Sequence, residues 1–81
     1  MKTLDEIDEL RHTTMTIHAG GLNGQPVDYF YWIGYTAGAY PVVIDTEIRQ
    51  AVMNCDKDQV DAFYMGERDA LGDAKINLTT F

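Results

Sequence analysis

Residues 27–35 hold Tyr29, Phe30, Tyr31, Trp32 and Tyr35, with Val27 and Ile33 among them, so this short stretch has almost no polar side to give to solvent. As a strand it sets Val27, Tyr29, Tyr31, Ile33 and Tyr35 on one face and Phe30 and Trp32 on the other, because side chains alternate across a pleat. The rest of the chain must then cover it on both sides, or leave one side for a partner. A helix is the rival: Asp28 can cap it, and Gly34 and Gly38 stand four apart, as at a close helix contact. Glycine costs about 1 kcal/mol in a helix interior relative to alanine, and the aromatic and threonine content favours a pleated surface. The segment is therefore expected as a central strand.

The flanks supply helices to cover it. Thr3 and Glu6 form a capping box before Leu4, Ile7 and Leu10, which recur at helical spacing over residues 4–11. Met15, Ile17 and Ala19 alternate with Thr14, Thr16 and His18, the pattern of a strand over residues 13–19. The run from Gly20 to Pro26 is turn-rich, with Asn23 and Gly24 its strongest reversal signal. Residues 41–44 read as a further short strand. Asp45 caps a helix over residues 46–54 with Ile48, Ala51 and Val52 inward. Asp56, Lys57 and Asp58 offer a fresh cap for a last helix over residues 59–73. Its expected inner face is Val60, Phe63, Leu71 and Ala74; Ile76 and Leu78 then give a weak strand signal, with Phe81 a terminal anchor. The expectation is one α+β domain over residues 1–81, a small antiparallel sheet of about three strands packed on two or three helices. Val27, Asp28, Phe30 and Tyr31 are echoed by Val60, Asp61, Phe63 and Tyr64, a match too short to mark a repeat.

Charge and cysteine usage narrow the function. Thirteen Asp and Glu against six Lys and Arg give a net charge of -7. A surface like that repels phosphate backbones, which excludes direct nucleic-acid binding and favours a protein partner with a basic surface. One cysteine, Cys55, rules out an internal disulfide. The acidic start lacks the basic and apolar runs of a signal peptide, and the apolar stretch is too short to span a bilayer. The expected compartment is the cytoplasm, with no membrane contact.

Little in the chain suggests catalysis. His12, His18 and Cys55 show no paired metal-ligand spacing, so no metal or cofactor is expected. Cys55 sits towards a helix end, where carbonyl groups disfavour a thiolate. The Gly20 to Gly24 loop lacks the ending of a phosphate cradle. Glu67 falls inside the expected apolar face, either snorkelling or on a misjudged helix phase, or else paired with an arginine such as Arg49.

Two surfaces remain as binding candidates. One is acidic: Asp58, Asp61, Asp69 and Asp73, with Asp5, Glu6 and Glu9 as potential neighbours. The other is aromatic, Tyr29, Phe30, Tyr31, Trp32 and Tyr35, with Trp32 the expected exposed ring and Tyr31 a partner-binding residue beside it, because tryptophan and tyrosine dominate interface hot spots. Residues 63–74, from Phe63 and Gly66 through Asp69 to Ala74, resemble helical segments of small acidic proteins of bacteriophages and mobile elements, including anti-CRISPR inhibitors. That resemblance implies a non-enzymatic inhibitor in the host-cell cytoplasm, binding a nucleic-acid-handling complex by steric blocking or nucleic-acid mimicry. A homodimer or assembly protein built on the aromatic strand is the second expectation. A small-ligand or catalytic domain with a pocket lined by His18 or Glu67 is the third.

Overall fold

The computed structural model describes residues 2–16 and 21–79, with side chains described through residue 72. The described residues form four α-helices: α1, Leu4–Thr14; α2, Val27–Ala39; α3, Thr46–Met53; and α4, Lys57–Thr79. Short 3-10 turns occupy Leu22–Gly24 and Pro41–Val43, and no strand occurs among these residues. The fold is all-α, which overturns the expected α+β arrangement and its three-stranded sheet.

Each expected strand fails for its own reason. Residues 27–35 belong to α2, whose apolar residues surround the helix; such a helix must be buried on most sides. Tertiary packing outweighs the β-propensity of its rings. Asp28 does not cap it: Pro26 holds the cap position without a side-chain bond, and Asp28 lies in the first turn. Thr13 and Thr14 finish α1, their hydroxyls donating back to the Leu10 carbonyl at 3.0 and 2.9 Å. Met15 is its C-cap, while Ile17, His18 and Ala19 lie outside the described residues. Residues 41–43 close into a turn, with Val43 N–H donating to the Tyr40 carbonyl at 3.0 Å. The backbone stays helical to Thr79, so residues 76–79 are not a strand; Phe81 lies outside the described residues.

α2 and α4 run side by side in the same direction, joined at glycines. A Cβ added at Gly34 would fall into the Phe63 carbonyl, and one at Gly66 into the Tyr31 carbonyl. At Gly38 it would lie 2.6 Å from the Glu67 carbonyl oxygen and 2.9 Å from Ala70 Cβ. From Gly34 to Gly38 the opposing positions advance from Phe63 to Ala70, so the helices are parallel. Small residues four apart, Gly34 with Gly38 and Gly66 with Ala70, let two backbones approach this closely. The buried face of α4 is therefore Gln59, Phe63, Gly66 and Ala70. The expected face was out of phase: Val60 is half-buried and Leu71 is 53% exposed. Ala74's side chain lies outside the described residues.

Two apolar clusters sit on either side of this seam. Phe30, Ile33, Ala37, Ile44, Val52 and Phe63 pack together beneath α3. Ile7, Tyr35 and Ala70 pack beneath α1. The echoed residues Phe30 and Phe63 thus meet in one cluster. Thr36, fully buried on α2, satisfies its hydroxyl by donating to the Trp32 carbonyl at 2.8 Å.

Polar contacts fix the ends. Both α1 and α3 start as the sequence indicates: Thr3 and Glu6 make the full capping box, and the Asp45 side chain accepts from Ile48 N–H. At the start of α4, buried Gln59 accepts from Asp56 N–H at 3.0 Å. Its amide nitrogen donates to the Asn23 and Gln25 carbonyls at 2.7 and 2.9 Å, which ties the loop before α2 to α4. Gly21 makes that loop's entry with φ of 110°, a conformation open to glycine. The Gln25 side chain in turn bonds both the N–H and the carbonyl of Thr16.

Candidate functional site

Because α2 and α4 are parallel, their first turns lie at the same end of the molecule. Val27, Asp28 and Tyr31 of α2 face Asp58, Asp61, Ala62 and Met65 of α4 across an open depression of about 430 Å³. Its floor is apolar, with Val27 and Met65 about half exposed. A second depression of about 490 Å³ lies next along the same side, where Tyr31, Trp32 and Tyr35 meet Arg68, Asp69 and Lys2. Tyr31 lines both. The acidic and aromatic surfaces expected separately from the sequence are one side of the molecule.

Five of the six residues singled out from the sequence line these depressions: Asp58 and Asp61 the first, Trp32 and Asp69 the second, and Tyr31 both. Asp73 is on α4, but its side chain lies outside the described residues. Asp28, Val27 and Met65 were missed as site residues. Reading 27–39 as a helix would have found the first two, since Val27 and Tyr31 stand four apart on one face with Asp28 beside them. Of the α1 acids, Glu6 and Glu9 line a further depression with Lys2, Leu10 and Thr13, which adjoins the second one at Lys2.

The carboxylates differ in how far they are engaged. Asp61 accepts from Lys57 at 2.9 Å, and that hydrogen bond and charge raise the lysine's pKa. Asp69 accepts from the Tyr31 hydroxyl at 2.6 Å, with Arg68 Nε a distant 3.9 Å away. Asp28 and Asp58 form no ion pair among the described residues. Of the five Lys and Arg side chains described, Arg11, Arg49, Lys57 and Arg68 are ion-paired within the chain. Asp28 and Asp58 thus stand outside these ion pairs, although the Lys57 charge also acts on Asp58 and Lys2 lines the second depression. At the aromatic end of this side Trp32 is half-buried rather than exposed as expected, because the rings pack on one another: Tyr31 and Trp32 meet edge to face at 4.9 Å, and Trp32 lies 5.6 Å from Tyr35.

Other candidate chemistry resolves into structural roles. Glu67 pairs with Arg49 at 2.8 Å, the partner the sequence suggested, and is half-buried rather than enclosed. The Arg49 guanidinium also lies 5.4 Å from the Phe63 ring centre. The Cys55 thiol is pushed up, first by burial and then by the Asp56 charge, and it donates to the Ala51 carbonyl at 3.3 Å. His12 Nδ1 sits 3.2 Å from the Asp8 carbonyl oxygen in the last turn of α1; His18 lies outside the described residues. Among the described residues, no group of three or more His, Cys, Asp or Glu could hold a metal ion, and no helix is long and apolar enough to cross a membrane.

No known family model, curated protein or solved structure matches the chain. The segment expected as a strand for a homodimer is helix α2, with Phe30, Ile33 and Tyr35 buried within the chain.

Proposed function

We propose that the chain is a non-catalytic protein-binding module that presents the α2–α4 side to a basic surface. One observation carries this reading: Asp28 and Asp58, which form no ion pair among the described residues, flank an apolar floor of half-exposed Val27 and Met65. Acids without internal partners attract cations and set orientation, while exposed apolar area supplies affinity when water is excluded. Proteins that hold phosphate backbones present basic surfaces. The finer reading is an acidic inhibitor that covers such a surface on a nucleic-acid-handling protein, sterically or with carboxylates in place of phosphates. The resemblance of residues 63–74 to phage inhibitor segments points the same way.

Capture of partners from a bacterial lysate tests the reading when wild type is compared with the Asp28→Lys, Asp58→Lys double variant. The same captured protein should be lost from the variant and weakened by high salt. Full-strength capture by the variant, insensitive to salt, would reject it.

A further inference from the structure

Asn23 and Gly24 take no part in the α2–α4 side, yet they are the one Asn-Gly pair in the chain, and such a pair carries chemistry of its own. The backbone nitrogen after an asparagine can lose its proton and attack the side-chain amide carbon. A carbon–nitrogen bond forms, ammonia leaves, and a succinimide ring results. Water then opens the ring, giving aspartate or isoaspartate. Glycine, having no side chain, hinders the attack least. Both residues are exposed, so water and hydroxide reach them. The turn itself opposes the reaction. Gly24 N–H donates to the Gly21 carbonyl at 3.2 Å, and Gln25 N–H to the Leu22 carbonyl at 3.0 Å. Gln59, only 7% exposed, grips the carbonyls of Asn23 at 2.7 Å and Gln25 at 2.9 Å, and is itself held by Asp56 N–H. Ring closure needs rotation about the Asn23 Cα–C bond, out of the 3-10 range. That rotation takes the Gly24 nitrogen off Gly21 and the Asn23 carbonyl off Gln59.

We infer that Asn23 is a site of spontaneous deamidation and that the buried Gln59 amide sets its rate by holding the turn closed. The pair reacts only during local openings of the turn, whose frequency depends on the bonds that opening breaks. Loss of a buried amide with these bonds makes opening about tenfold more frequent. The change runs one way. In isoaspartate the chain passes through the former side-chain carbon, so the backbone gains one carbon and the old Asn23 carbonyl becomes a free carboxylate. The 22–24 turn then no longer fits its hydrogen bonds, and the tie between the loop before α2 and the start of α4 is released.

Incubation at mildly alkaline pH tests it, with peptide mass spectrometry that separates aspartate from isoaspartate. In urea, Asn23 should convert faster than Asn54, which is followed by Cys55. In the folded wild type the Asn23 rate should fall by about tenfold or more from its rate in urea. Gln59→Ala should raise the folded rate about tenfold. Val52→Ala weakens the core beneath α3 but touches none of these bonds, so it should leave the rate within about twofold of wild type. Equal rates in folded and urea-unfolded wild type would show that the turn gives no protection. Equal rates in wild type and Gln59→Ala, or an acceleration by Val52→Ala as large as that by Gln59→Ala, would take the control away from Gln59. Any of these overturns the inference.

Discussion

Where α2 meets α4 the backbones touch through Gly34, Gly38 and Gly66, whereas α3 reaches α4 through side chains, chiefly Val52 at the core and the Arg49–Glu67 pair above it. The first contact has no room for an added atom. The second is half open to water, with Ile48 and Met53 partly exposed and Arg49 41% exposed. A glycine seam fixes two helices with little tolerance in distance; a side-chain contact can adjust. The rigid contact is also the one that brings Asp28 to Asp58 and Tyr31 to Asp69, so the candidate binding side inherits its geometry from the seam.

The largest expected effect comes from growing one atom into the seam. Gly34→Ala should cost about 3 kcal/mol or more, since its methyl meets backbone that cannot move aside. Gly72→Ala, in the same helix pair but with open space around the new methyl, should instead stabilise by about 0.5–1 kcal/mol. Thermal unfolding of both variants breaks the comparison if they behave alike. Next in size is Gln59→Ala, which leaves the Asn23 and Gln25 carbonyls and Asp56 N–H without that partner and should cost about 2 kcal/mol. Urea denaturation measures it, and a loss within a few tenths of a kcal/mol would show that the loop clamp contributes nothing.

The side-chain flank should be gentler. A double-mutant cycle on Arg49 and Glu67 should give a coupling of about 0.5–1 kcal/mol, because both groups are partly solvated. A coupling as large as the Gly34 effect would erase the distinction between the two contacts. The smallest effect is at the α1 cap. Bonds from the Thr3 backbone N–H and hydroxyl hold the Glu6 carboxyl below the usual value. With the folded pKa depressed, that stabilisation is present above the ordinary carboxylate pKa and is lost as pH falls through the folded one. Melting of wild type and Glu6→Gln across that range should show their difference shrinking in acid; a constant difference would contradict the cap's role.

Caps were the most legible feature of the sequence. Thr3 with Glu6 and Asp45 mark α1 and α3 because their chemistry is local, needing only neighbours three residues away. α2 was not legible as a helix, since Tyr, Trp and Thr favour a strand in isolation and only contacts with α1 and α4 reverse that. The phase of α4 slipped for a related reason. Apolar spacing counts large side chains, whereas the inner face here runs through Gly66 and Ala70, whose value is their smallness. The acids Asp58, Asp61 and Asp69 were legible as a group from helical spacing alone. Asp28 was not, because its meeting with Asp58 requires two helices to run parallel across an intervening third.

That parallel seam is the claim on which both the fold and the binding side depend. Nuclear Overhauser contacts of Gly34 Hα and Gly66 Hα test it most directly. The seam predicts strong contacts from Gly34 to Phe63 and from Gly66 to Tyr31 and Tyr35. Their absence, with strand-type contacts along residues 27–35 in their place, would contradict it.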